Sequence, residues 1–198
     1  MSHWTDQNAH DYDDRWGALD FHRQIPVLAG IQPGFQVAEL GCGGGFLSVC
    51  LALSHEGVQV QALDPSDVMI QRANERKQKA DLSDEQLTLL CAGAEQRTPK
   101  PSSMDVVVAA FSLHHWQQPE TVMETICKAL KPGGKFWLCE DLNTPSFGDL
   151  DVHNDLKALA GIKKLLEKFG FSSIQHQRQC TDEGDFLMVE GINARQAV

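Results

Sequence analysis

Short apolar runs of β character alternate along the chain with stretches of helical character, and few architectures accommodate that alternation. The β-type runs fall at 36–40, 58–63, 87–91, 104–110 and 135–141, with helical patterns at 44–54, 66–79 and 119–130 between them. Strands joined through helices lie parallel, because a parallel connection needs a dozen or so residues and a helix supplies them. The pattern predicts an α/β fold with a doubly wound, mostly parallel sheet covered by helices on both faces. The link from Cys91 to Met104 is short, so one crossover helix is expected to shrink to a turn or a loop. "KPGGK", 131–135, reads as the stop of the third helix.

The C-terminal part breaks the alternation. A helix is predicted over 155–169, with Gly170 in the stop position, leading to "FSSIQHQRQ" and then "GDFLMVEGI". The joining segment, "QCTDEG", is too short for a parallel crossover, so these two strands must form an antiparallel hairpin. The sheet is therefore expected to be parallel with one antiparallel strand near its C-terminal edge.

With 198 residues, 42% of them hydrophobic, the chain is long enough for one globular domain over 1–198, with 1–30 as an N-terminal helical cap. A formal charge of −10 argues against an electrostatic hold on nucleic acid or on a membrane surface. The one basic cluster, Arg72, Arg76, Lys77 and Lys79, shares its segment with Glu75 and Asp81 and reads as a solvated helix face. No apolar run approaches the roughly 20 residues of a membrane span, and "MSHWTDQNAHDYDD" does not read as a signal peptide. The expected location is cytoplasmic. The six cysteines (42, 50, 91, 127, 139 and 180) contain no CxxC pair and read as buried free thiols, with neither disulfides nor a zinc site.

The stretch "VAELGCGGGFLSV", 37–49, ends an apolar run in a carboxylate, Glu39, and continues through a glycine cluster into a helix. It is not the dinucleotide fingerprint, whose third glycine falls on Phe46, nor a Walker loop, whose Gly-Lys falls on Phe46 and Leu47. Both of those loops hold phosphates, towards which Glu39 would present a negative charge. A nicotinamide oxidoreductase is disfavoured for the same reasons. An adenosine ligand without phosphate but with positive charge removes the conflict, and S-adenosylmethionine (SAM) is such a ligand. Gly41, Gly43 and Gly45 would let the backbone pass close to it, where a Cβ would collide.

"ELGCGGG" resembles the first motif of class I SAM-dependent methyltransferases, and further motifs follow in order. "VQALDPS" resembles the second, "CAGAEQRTP" the third, "MDVVVAAFSLHHW" the fourth, and "ALKPGGKFWLCED" the helix–turn–strand after it. The resemblance implies a Rossmann-like, seven-stranded sheet with a reversed last strand, methyl transfer from SAM, and S-adenosylhomocysteine (SAH) as product. Asp64, closing the second strand, would accept both ribose hydroxyls, though by itself it also suits a turn starter before Pro65. The resemblance makes Glu39 an anchor for the methionine part and sets Pro65, Ser66 and Met69 beside the adenine ring. Cys42 joins the loop set, and Ala110 and Phe111 complete the cofactor set at the end of the fourth strand. Gly93 stands where the family frequently has an Asp that accepts from the adenine amino group. The backbone of Ala94, with Glu95 as neighbour, is left to serve that ring.

Methyl transfer proceeds by in-line displacement, so alignment and desolvation supply most of the acceleration. A base matters only where the acceptor loses a proton. His114, His115 and Tyr12 are the catalytic candidates. Two adjacent histidines seldom face one ion, and no metal is expected. The segment "HDYDDRWGALDFHRQIPVLAG" reads as one or two amphipathic helices; in similar enzymes such a segment covers the SAM pocket, with a tyrosine near the methionine end. Tyr12 and Trp16 fit that part, and fit equally a segment that simply seals against the body. Residues 142–152 leave no room for an inserted substrate domain, which favours a small-molecule acceptor under a short lid. The same motifs suit a SAM-binding regulatory protein without catalysis, and neither the acceptor atom nor the oligomeric state is legible.

Overall fold

A computed structural model describes residues 6–97, 99–142 and 153–194. The expectation for 142–152 lies, from 143 onwards, outside the described residues. Seven strands form one sheet in the order β3-β2-β1-β4-β5-β7-β6. The chain divides into two compact units, Met1–Arg97 and Thr98–Val198.

In the first unit, α1 (Asp6–Trp16), a 3-10 turn (Asp20–Gln24) and the short α2 (Ile25–Leu28) precede β1 (Gln36–Leu40), α3 (Phe46–Ala52), β2 (Gln59–Asp64), α4 (Asp67–Lys79) and β3 (Leu87–Cys91). β1 pairs parallel with β2, and β2 with β3, as the helical crossovers require. Four of the five β1 residues are buried, Glu39 among them, which is the signature of a strand covered on both faces. Ser66 caps α4 by accepting a hydrogen bond from the Met69 N–H at 3.4 Å. Asp67 lies in the first turn of α4 and Arg76, Lys77 and Lys79 in the last, each sign matching the helix dipole. α3 starts two residues later than its sequence pattern, because Gly45 precedes it at φ 77.

The second unit carries β4 (Met104–Ala110), a 3-10 turn (Leu113–His115), α5 (Pro119–Ala129), β5 (Leu130–Asp141), a 3-10 turn (Asn154–Lys157), α6 (Leu159–Lys168), β6 (Phe171–Thr181) and β7 (Gly184–Asn193). β4 and β5 are parallel, while β7 runs antiparallel to both β5 and β6. The hairpin is therefore present, and β7 is its reversed strand. "KPGGK" ends the helix as predicted but is itself part of β5, with Gly133 at φ 75 and a register shift against β4 between Met104 and Val106. The helix expected over 155–169 is interrupted at Ala158, which is extended. No helix among the described residues is long and apolar enough to cross a membrane.

The cysteine reading needs one correction. Cys42, Cys127 and Cys139 are buried, but Cys91 and Cys180 are exposed, and the Cys91 thiol donates to Asp67 Oδ1 at 2.8 Å. Both exposed thiols lie on β3 and β6, the two edge strands of the sheet.

Candidate functional site

The loop between β1 and α3 is shaped by three left-handed glycines, Gly41 (φ 75), Gly43 (φ 51) and Gly45 (φ 77), a conformation costly for any residue with a Cβ. It is tied to β2, since the N–H groups of Gly41 and Cys42 both donate to the Leu63 carbonyl at 2.9 Å. Gly45 N–H closes a turn onto Cys42 O at 2.9 Å. The three glycines serve different ends. A Cβ on Gly45 would lie 2.6 Å from Ala73 Cβ, so this glycine lets α3 pack on α4. A Cβ on Gly43 would meet only the Met69 sulfur, at 4.0 Å, so that stretch of backbone borders open space. The Cys42 thiol is buried, and burial pushes its pKa well up. Its part is to anchor the loop through its backbone.

Two carboxyls stand beside this loop. Glu39 is 2% exposed and accepts from the Ser48 hydroxyl at 2.6 Å. Asp64 accepts from Gly43 N–H at 3.0 Å through one oxygen and from Ser66 N–H at 2.9 Å through the other. It thus starts a turn and also holds the glycine loop, with lone pairs on both oxygens remaining. Burial raises Glu39 from 4.5 to about 8, opposed by the Ser48 hydrogen bond and reinforced by the Asp64 charge. Burial likewise raises Asp64 from 3.8 to about 6, against the lowering by its two backbone donors. No cationic side chain among the described residues pairs with either. The arrangement is suited to a cation.

Met69 is buried opposite Gly43, and Pro65 is exposed at the start of the turn. The third segment begins where Ala92 N–H donates to the Asp64 backbone carbonyl at 3.0 Å, which brings the Gly93–Glu95 turn to the end of β2. Gly93 and Ala94 are buried and Glu95 half-buried. A Cβ on Gly93 would approach Glu95 Oε2 to 3.2 Å.

In the second unit, Ala110 is the last residue of β4, and Phe111 follows in the left-handed region at φ 55. Phe111 N–H donates to Cys139 O at 2.8 Å, and its ring packs against Phe186. A non-glycine residue held there stores backbone strain, a recurrent feature of functional sites. His114 is buried, with Nδ1 2.6 Å from Glu140 Oε2, while the other Glu140 oxygen accepts from Leu113 N–H at 3.2 Å. Glu140, 0% exposed, is raised by burial, with the His114 contact as the main opposing influence. His115 is half-buried, its ring 3.9 Å from that of His114. His153 donates its backbone N–H to His114 O at 3.0 Å, and its Nε2 is buried without a hydrogen-bond partner among the described residues. Among the described residues, no group of three metal-ligating side chains comes together. Glu140 and His153 carry no motif of their own; for Glu140 the available signal is the pair of acids, Glu140 and Asp141, that ends "FWLCED".

The basic cluster on α4 is a solvated face only at Lys79. Arg72 and Arg76 reach the buried Asp13 of α1 at 2.7 and 2.8 Å, and Lys77, itself buried, pairs with Asp84. Tyr12 and Trp16 are both half-buried on α1. Phe46, where a dinucleotide loop needs glycine, packs edge-on against His22 and lies under the Arg23 guanidinium.

Residues 38–138 match the family described as a methyltransferase domain. The 27-O-demethylrifamycin SV methyltransferase of Amycolatopsis mediterranei is 32% identical over 155 residues, 75% of this chain and 56% of that one. A ubiquinone biosynthesis O-methyltransferase of Idiomarina loihiensis is 34% identical over 105 residues, 52% of this chain and 41% of that one. The chain thus spans about half the length of these relatives. Among solved structures, a SAM-dependent methyltransferase of Aquifex aeolicus shares the fold at TM-score 0.75 and 18% identity, covering 96% of this chain and 98% of that one. Phosphoethanolamine N-methyltransferase 2 of Haemonchus contortus, solved with SAM, gives 0.76 at 18% identity, covering 98% of this chain and 59% of that one. The family match takes in just over half of the chain, from β1 to β5 and with it the glycine loop, and the chain belongs to the methyltransferase-domain family.

Proposed function

We propose that residues 1–198 act as one methyltransferase domain, with 1–30 as its helical cap, transferring a methyl group from SAM to a small-molecule acceptor. The observation that carries this reading is the pair of carboxyls, buried Glu39 and half-buried Asp64, flanking a glycine loop with no cation among the described residues to pair with them. Glu39 and Gly41–Gly45 would hold the methionine portion, Asp64 the ribose, and Met69 with Gly93–Glu95 the adenine. SAM supplies a methyl group on a positive sulfur, already activated for displacement. The chain's task is then to align the acceptor, exclude water and take up a proton where the acceptor carries one. His114, buried with Nδ1 against Glu140, is the candidate for that last step in the tautomer whose Nδ1–H is donated to the carboxylate. This favours a hydroxyl acceptor, in keeping with relatives named as O-methyltransferases.

Isothermal titration with SAM, SAH and NAD tests the cofactor, and pH sharpens the test. Both carboxyls are raised in the folded protein, so each destabilises the fold when ionised. Without ligand, the melting temperature is expected to fall as pH climbs from near 4 towards 8. A bound cation favours the ionised forms and expels protons. SAM affinity should therefore rise between pH 6 and 8, by up to about tenfold per unit for each proton released. Titrations in buffers of different ionisation enthalpy count those protons. An affinity flat across this window would remove the charge-based reading, and tighter binding of NAD than of SAM would replace it.

Asp64→Ala should cost about 1.5–3 kcal/mol of SAH affinity, the scale of hydrogen bonds to a charged group. It should also lower the ligand-free melting temperature, because Gly43 and Ser66 lose their acceptor. A lowered melting temperature with unchanged affinity would reduce Asp64 to a turn former.

A further inference from the structure

Within the Gly41–Gly45 loop, Gly44 is not in the left-handed region, so its backbone gives no reason for glycine. The same holds for Gly17, just beyond α1. What both glycines spare is one carboxylate. A Cβ on Gly44 would lie 2.1 Å from both Asp13 Oδ1 and Arg76 Nη1, and a Cβ on Gly17 would lie 2.0 Å from Asp13 Oδ1.

The Asp13 side chain is 1% exposed and fully engaged. Its Oδ2 accepts from Arg72 Nη1 at 2.7 Å and its Oδ1 from Arg76 Nη1 at 2.8 Å. That same Arg76 nitrogen donates to the Gly44 carbonyl at 2.6 Å. The Gly44–Gly45 peptide is thereby held at both ends, its oxygen by Arg76 and its N–H by Cys42 O. Arg72 is spread over α1, reaching His10 Nδ1 at 3.0 Å and Asp14 at 2.6 Å as well as Asp13. Burying an ion pair stabilises little compared with burying apolar side chains of like volume; its use lies in fixing one geometry.

We infer that Asp13 and Arg76 are positioning residues for cofactor binding, linking the docking of α1 to the shape of the glycine loop through the Gly44 carbonyl. The inference rests on the reading that this loop holds SAM. Arg76 fixes the peptide from which α3 starts, and Asp13 fixes Arg76. Loss of either member frees the loop to sample other peptide orientations, so the ligand must select the competent one and binds more weakly.

The test is a double-mutant cycle read by SAH calorimetry on the full chain. Arg76→Met and Asp13→Asn should each weaken SAH about tenfold, and the double variant no more than the weaker single. Hydrogen exchange without ligand should quicken together on α1 and over residues 44–47 in Arg76→Met. Should Asp13→Asn fail to fold, Arg76→Met decides alone, since Asp13 keeps Arg72. Wild-type SAH affinity in folded Arg76→Met, additive losses, or exchange that quickens on α1 but not in the loop would each overturn the link. If the wild-type chain binds no SAH, the cofactor reading falls, and the ligand-free exchange still decides whether α1 and the loop are coupled.

Discussion

Replacing Gly43 by valine is expected to leave a folded protein that binds neither SAM nor SAH within the range of calorimetry. The substitution acts in two ways. At φ 51 the backbone is left-handed, a conformation that costs a residue with a Cβ on the order of 1–2 kcal/mol and a β-branched one more. That cost falls on the fold and lowers the melting temperature without unfolding the sheet. The larger effect is steric. The protein itself leaves room at this position, with only the Met69 sulfur 4.0 Å from the new Cβ, so the valine methyls enter the space assigned to the ligand. Gly45→Ala makes the contrasting control: its Cβ strikes Ala73 at 2.6 Å, so stability should suffer first. A folded Gly43→Val variant that binds SAH as wild type does would end the assignment of this loop to the cofactor.

His114→Ala is expected to lower kcat by about 10²–10⁴-fold on an acceptor hydroxyl, the usual contribution of a positioned base, while SAH affinity stays at its wild-type value. Glu140→Gln should fall between. The amide can point its NH₂ at Nδ1 and so favour the tautomer with the proton on the other nitrogen, which then cannot accept from the acceptor. A purely structural Glu140 would shift the melting temperature and leave the pH profile of kcat alone. A positioning Glu140 displaces the acidic limb of activity with pH as well, the side on which a general base is lost to protonation. Full turnover in His114→Ala would show that alignment alone carries the transfer, and an acceptor that has no proton to lose would follow.

Most of the fold could be read from the chain because the relevant signals are local. The strands 36–40, 87–91 and 104–110 emerge where their apolar runs lie, and the brevity of "QCTDEG" was enough to require the hairpin. The glycine loop was legible as a unit, but not the division of labour within it. Gly45 answers to Ala73 and Gly44 to Asp13, both distant in sequence, and a motif carries no trace of such partners. The partners of Arg72 and Arg76 are hidden for the same reason: their carboxylate lies 59 and 63 residues away. Glu140 reaches His114 across 26 residues, from one strand end to the turn after another, a juxtaposition that only the sheet creates.

The position of β7 has a consequence for how the polypeptide is made. It follows every other described strand in the chain, yet it sits between β5 and β6 and supplies hydrogen bonds to both. Until it leaves the ribosome, β5 presents an open edge whose sequence, "KFWLCED", is apolar enough to recruit the wrong partner, and β6 has no strand to pair with at all. The C-terminal half of the nascent chain therefore cannot close its sheet stepwise. It waits, aggregation-prone, for one ten-residue segment that completes two ladders in a single event.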